Sequence, residues 1–241
     1  MTRVVCAAVA AALCVVVVAG CGSEKLTAVD LGANQPGSAD PEPGQTVLRF
    51  VQAARRGDAE QMWGLLSEPT RRSIGPGLLP FSRGTATDLF DSFEDFRQGR
   101  VLLSRRLDDT WAVGAVSGRF DTDEDDSEPA AYAVALRREH GKWRVELAGL
   151  VIARLRPPPA DTASDRPELG AEAQAGSNVE RMLLWLDGTA ARVPYERTSP
   201  FTGEIDGRPQ ETVGRGEHAV VVFAETRDTA GAQAWTFDVG G

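Results

Sequence analysis

Few side chains in this chain are equipped for chemistry. Its thiols are Cys6, Cys14 and Cys21, and its imidazoles are His140 and His218. His140 precedes Gly141 in a tight turn, a poor place for a buried general base, and His218 opens a strand. The acidic run Asp121, Asp123, Glu124, Asp125, Asp126 and Glu128 starts like a calcium loop, with carboxylates at the first, third and fifth positions. The pattern then fails, because Asp126 stands where glycine is required and Tyr132 where a bidentate glutamate belongs. The run therefore reads as the solvated tip of a hairpin. Arg71-Arg72 and Arg105-Arg106 are basic pairs that could grip an anionic ligand or headgroup, though exposed arginines on helix and strand faces are commoner. Trp63, Trp111, Trp143 and Tyr132 read as core and cavity lining. The chain has no Gly-x-Ser-x-Gly elbow, phosphate loop or Gly-x-Gly-x-x-Gly turn. No catalytic, cofactor-binding or metal-ligating residue is assigned, and no enzyme is expected.

Cys21 has the most distinctive setting. Arg3 starts a short positive segment, an apolar run follows from Val4 to Ala19, and the chain then reads Val18-Ala19-Gly20-Cys21-Gly22-Ser23. The run is too short to span a bilayer comfortably and ends in small residues, as a secretory signal does. The ending resembles the lipobox of bacterial lipoproteins. In that family the cysteine thiol receives a diacylglycerol and the peptide bond before it is cut, small residues letting the peptidase grip an extended backbone. The resemblance implies a signal peptide over residues 1–20, lipidation at Cys21 and anchoring on the outer face of the cell membrane. Cleavage would remove Cys6 and Cys14, leaving no thiol pair for a disulfide. Two or three acyl chains on one cysteine suffice for stable anchoring without a polybasic patch.

Charge narrows the partners. Thirty-five acidic residues stand against 26 basic ones, a formal charge of -9 that argues against a nucleic-acid backbone as partner. Lys25 and Lys142 are the only lysines beside a large majority of arginines, a bias of GC-rich genomes such as those of actinobacteria.

Residues 21–44 are rich in Gly, Pro, Ala and acids and lack periodicity, which predicts a flexible stalk. Pro157-Pro158-Pro159 opens a second break, read as a linker over residues 157–177. Between them, residues 45–156 start with helices and end with strands. Val47, Phe50, Val51 and Ala54 mark one helix face, and Gly57 stops that helix. Asp58 caps a second, with Gln61 three residues on as in a capping box. A Pro69-led turn follows, and Leu89, Phe90, Phe93 and Phe96 mark a third helix capped by Thr87. Apolar alternation then predicts four strands, around Val101–Leu107, Trp111–Ala115, Tyr132–Leu136 and Trp143–Val151. The expected class is α+β, with three helices on a curved four-stranded antiparallel sheet.

This order resembles the nuclear transport factor 2-like superfamily. The carrying residues are Phe50-Val51-Gln52-Ala53-Ala54-Arg55-Arg56-Gly57-Asp58, Leu65-Leu66, and the strand start Gly141-Lys142-Trp143. The resemblance implies a conical cavity between helices and sheet, and its members include enzymes, ligand carriers and inert scaffolds. It also leaves open a homodimer formed through the sheet.

Residues 178–241 read as all-β, with strands at Arg181–Leu186, His218–Ala224 and Ala234–Val239 and turns at Asp187-Gly188, Asp206-Gly207 and Gly214-Arg215-Gly216. The last two strands look like those of a bacterial immunoglobulin-like sandwich. About sixty residues without a disulfide build only a small core, so this part is expected to lean on the first. The expected role is a membrane-anchored, non-enzymatic binding or scaffold module of the cell envelope, with no cofactor and an envelope protein or an apolar small molecule as partner. The alternatives are a carrier or sensor of an apolar ligand in the cavity of residues 45–156 and, below that, a cavity enzyme of the cyclase or isomerase kind.

Overall fold

The computed structural model describes residues 38–122, 126–149, 152–156, 158–159, 161–190, 195–199, 202–207, 209 and 212–240. Cys21, the signal segment and Asp123 to Asp125 lie outside them.

Asp40 starts the first helix by accepting the Glu42 N–H at 3.0 Å, with Pro41 placed where a helix has no use for its missing donor. This helix, α1 (Pro41–Arg55), buries Val47, Phe50, Val51 and Ala54 along one face, as their spacing predicts. It ends at Gly57, whose φ of +67° suits glycine. Strand β1 (Ser38–Ala39) and the first turn of α1 fall within residues 21–44, so the segment read as stalk is structured from Ser38 onward.

Asp58 caps α2 (Ala59–Leu65) by accepting the Gln61 N–H at 2.9 Å. Only half of the expected capping box forms. The Gln61 side chain instead accepts from Arg56, and the Asp58 N–H donates to Ala53 O. The predicted Pro69 turn is a helix, α3 (Glu68–Ile74), because Pro69 sits in its first turn and Ser67 accepts the Thr70 N–H. A short α4 (Leu78–Arg83) follows, then α5 (Thr85–Phe93). Gly84, and not Thr87, precedes α5, and Phe96 has left the helix for the next strand. The region thus holds five helices where three were expected, since Gly-Pro-Gly and Ser-Arg-Gly break a longer apolar stretch into short turns.

Strands β2 (Phe96–Arg106), β3 (Trp111–Asp121), β4 (Ser127–Glu139) and β5 (Lys142–Glu146) form the expected antiparallel meander, which β1 extends at the β2 edge. The β4–β5 turn is His140-Gly141, with φ of 51° and 78°. One face of this first sheet carries Phe96, Ala112, Val116, Val134, Leu136, Trp143 and Val145 against the helices. The opposite face carries Leu103, Trp111, Val113, Ala115, Ala133 and Ala135, also buried. Trp111 to Val116 is apolar without a break, and that continuity is the signature of a strand covered on both sides.

The remaining strands are β6 (Ala153–Arg156), β7 (Asp161–Thr162), β8 (Leu169–Ala173), β9 (Arg181–Leu186), β10 (Thr189–Ala190), β11 (Tyr195–Ser199), β12 (Thr202–Gly207), β13 (Gly216–Glu225) and β14 (Ala230–Val239). They form two sheets, in the orders β10-β9-β13-β14-β7 and β11-β12-β8-β6. All pairings are antiparallel except β7 with β14. The boundary at residue 156 and the linker over 157–177 are corrected here. Strand β6 pairs with β8, both inside the second unit, and Leu169, Ala171 and Ala173 are core residues. The three prolines mislead because the segment they open re-enters the sandwich within a dozen residues.

The two sheets of the second unit enclose a core in which Leu155, Leu169 and Ala171 face Leu184, Val220, Val222 and Phe237. The other face of the β9-β13-β14 sheet presents Leu183, Trp185, Val221, Phe223, Ala230 and Ala232 to the first sheet. The layers therefore run helices, sheet, sheet, sheet, and the middle sheets are buried on both faces. The α+β class with N-terminal helices stands as expected.

Candidate functional site

The residues with chemical potential are mostly committed to structure. His140 occupies a surface turn. His218 places Nδ1 2.7 Å from Asp187 Oδ2 and Nε2 2.8 Å from Gly214 O, and its ring packs against Phe237. Asp187 also accepts the Ala219 N–H at 2.9 Å, so this pair pins the β9–β10 turn to β13. Asp121 pairs with Arg97 at 3.0 Å. No group of three His, Cys, Asp or Glu side chains placed to hold a metal occurs among the described residues.

The arginine pairs are engaged singly. Arg71 donates from Nε and Nη2 to the Leu66 carbonyl, at 3.1 and 2.9 Å, and lies over the Trp63 ring. Arg106 holds Asp109 and the Asp108 carbonyl in the β2–β3 turn. Neither pair forms a two-armed clamp.

The space between helices and sheet is occupied by aromatic rings. Phe93 meets Tyr132 edge-on at 4.9 Å and Phe96 at 6.1 Å, and Phe96 meets Phe120 at 5.5 Å. The Tyr132 hydroxyl is buried without a hydrogen-bond partner among the described residues, and burial raises its pKa well above that of a free phenol. Outside this packing, a shallow groove of about 250 Å³ runs between α1 and the start of β2. Leu48, Val51 and Phe96 form its floor, with Gln52, Arg55 and Gln98 on its rim.

Two polar clusters escaped sequence reasoning. In the first, Glu146 is fully buried at the end of β5. It accepts from Ser67 Oγ (3.0 Å), Thr70 Oγ1 (2.9 Å), Arg137 Nε (3.1 Å) and the Ala148 N–H (3.2 Å). Thr70 in turn accepts the Leu147 N–H at 2.9 Å. With every direction used, Glu146 fastens α3 to the sheet and has no lone pair left for a substrate proton. Arg137 carries this cluster into the second unit, lying 4.4 Å over Trp111 and donating to the Asp228 carbonyl in the β13–β14 turn.

The second cluster is Arg181, which contacts Asp108 of the β2–β3 turn at 2.6 Å and Glu225 of β13 at 2.7 Å. Burial opposes the charge on Asp108, but N–H donors from Trp111 and Thr110 and the Arg181 guanidinium outweigh it, holding its pKa below the ordinary carboxylate value. Burial dominates at Glu225 and pushes its pKa up despite Arg181. Nothing in local periodicity marks these partners, since Arg181 is 73 residues from Asp108. Both clusters are fasteners of the junction and have the chemistry of structure.

Gly149 and Gly188 complete the junction. A methyl group at Gly149 would fall on the Ala230 carbonyl, and one at Gly188 would come within 2.6 Å of the Leu102 carbonyl. Close backbone approach is thus built in at two points of the seam.

No protein-family model matches the chain, and no curated protein matches it.

Proposed function

We propose that this chain is a lipid-anchored lipoprotein of the cell envelope that acts as a non-enzymatic binding or scaffold module. The observation that carries the reading is Cys21, set behind Val18-Ala19-Gly20 at the end of a short apolar run. The lipid on its thiol would hold the protein to the outer face of the cell membrane. Among the described residues no helix is long and apolar enough to cross a membrane.

The helical unit is read as nuclear transport factor 2-like and the sandwich as immunoglobulin-like, each without a catalytic set. The sheet face through which two copies would pair is buried under β9, β13 and β14 of the same chain, which favours one copy as the working unit. The carrier reading needs open space between helices and sheet, where Phe93, Phe96, Phe120 and Tyr132 pack instead. The acidic balance favours protein or lipid partners over nucleic acid.

Replacing Cys21 by Ala tests the anchor. The variant leaves the membrane fraction and accumulates outside the cell; a variant that loses its signal segment yet stays with the membrane overturns the reading.

A further inference from the structure

We infer that the α3–α4 tip is a membrane-contact surface, with Leu78 and Leu79 entering the headgroup region of the bilayer and Arg72 and Arg83 meeting lipid phosphates. This rests on the anchoring reading above and adds a second, orienting contact to it.

Leu78 and Leu79 are the large apolar side chains that stay exposed among the described residues, at 36% and 57%. They are held outward by their own helix. Phe81 turns inward, fully buried, with its ring 5.4 Å from Trp63, and so fixes which face of α4 looks out. Leu79 and Arg83 stand one helical turn apart, so an apolar and a cationic group share that outer face. Pro76, Gly77 and Pro80 beside them are exposed as well, which makes the tip a protruding corner.

Charge distinguishes this corner from the rest of the molecule. The nineteen residues between Glu68 and Asp88 are the longest stretch beyond Glu24 without an acidic residue, and they hold Arg71, Arg72 and Arg83. Arg71 is used on the Leu66 carbonyl. Arg72 and Arg83 are exposed and have no partner among the described residues. A locally cationic, apolar corner on a chain of formal charge -9 is complementary to an anionic bilayer surface.

The tether permits the contact. Seventeen peptide steps separate Cys21 from Ser38, the first described residue. Fully extended they reach about 60 Å. A body of this size has a radius of gyration of about 17 Å, so the extended segment is longer than the body's radius.

The test uses the mature lipidated chain with Leu79→Cys, the one free thiol once Cys21 is acylated, carrying an environment-sensitive fluorophore. The same label at Ser164→Cys, exposed in the second unit, is the control. Both proteins are reconstituted in vesicles of phosphatidylcholine and phosphatidylglycerol in equal parts, with and without nitroxide-labelled acyl chains. The expected result is a blue shift and nitroxide quenching at position 79 and neither at 164. Leu78→Ser restores the solvent-exposed spectrum at 79. Protein that floats with the vesicles while position 79 stays unquenched overturns the contact and leaves the anchor intact. Protein that does not float overturns the anchor and the contact together. Shielding of position 79 only in native membranes, and not in pure lipid, assigns the corner to a protein partner and overturns the lipid contact.

Discussion

Arg181 Nη2 lies 2.6 Å from Asp108 Oδ2, joining a strand of the sandwich to a turn of the helical unit. Asp108 Oδ1 accepts the Thr110 and Trp111 N–H groups at 2.7 Å each, so the carboxylate that shapes the turn also receives the partner strand. Local turn chemistry and the junction of the two units are therefore coupled through one side chain.

That coupling has a pH signature. Because the pKa of Asp108 is lower in the fold than its ordinary 3.8, its contribution to stability is full at neutral pH and is lost as pH falls through the folded value. Glu225 acts with the opposite sign, since its raised pKa means that protonation relieves a cost as pH drops. Asp108→Asn removes the first effect and weakens the second, because the Asp108 charge is among the causes that raise Glu225. Thermal melts are expected to show wild type losing stability below about pH 4 more steeply than Asp108→Asn. Parallel slopes would show that Asp108 does not set the acid limb.

The apolar seam predicts one cooperative unfolding event. Trp185 and Phe223 of the sandwich are buried against Trp111, Val113 and Ala133 of the first sheet. Trp185→Ala opens a void in that layer and is expected to cost about 3–5 kcal/mol, lowering the melting temperature by roughly 6–20 °C. Calorimetry should show a single transition that moves as a whole. Two transitions, with only the upper or lower one moved, would mean that the units fold independently.

Gly149 and Gly64 provide a matched contrast. An alanine at Gly149 drives its methyl onto the Ala230 carbonyl and should cost about 1–3 kcal/mol. Gly64 lies within α2 with nothing near its would-be methyl, so Gly64→Ala should stabilise by roughly 0.5–1 kcal/mol through helix propensity. Chemical denaturation of the two variants gives both signs in one experiment, and equal effects would contradict the close approach at the seam.

Elements carried by local signals were legible in the sequence. The α1 stripe of Val47, Phe50, Val51 and Ala54 follows from spacing, the Asp58 cap from its neighbour Gly57, and the His140-Gly141 and Asp187-Gly188 turns from turn chemistry. What depends on distant partners was not legible. Trp111, Val113 and Ala115 share a face as alternation predicts, but their cover by Trp185 and Phe223 comes from residues seventy or more positions away. Leu169 to Ala173 looked like linker because Gly170 and three alanines or acids carry little periodicity, although the strand is buried between β6 and β12. Glu146 carries no local mark in the sequence, and only the fold brings Ser67, Thr70 and Arg137 to it. Cys21 is the reverse case, since its signal is wholly local and the fold adds nothing to it.

Intact mass spectrometry of the protein purified from membranes reads the lipid on Cys21 without intermediaries. The proposed anchoring predicts a polypeptide that starts at Cys21 and carries the added mass of a diacylglyceryl group, confined by fragmentation to the first residue. A chain that retains residues 1–20, or one that starts at Cys21 with an unmodified thiol, would contradict it.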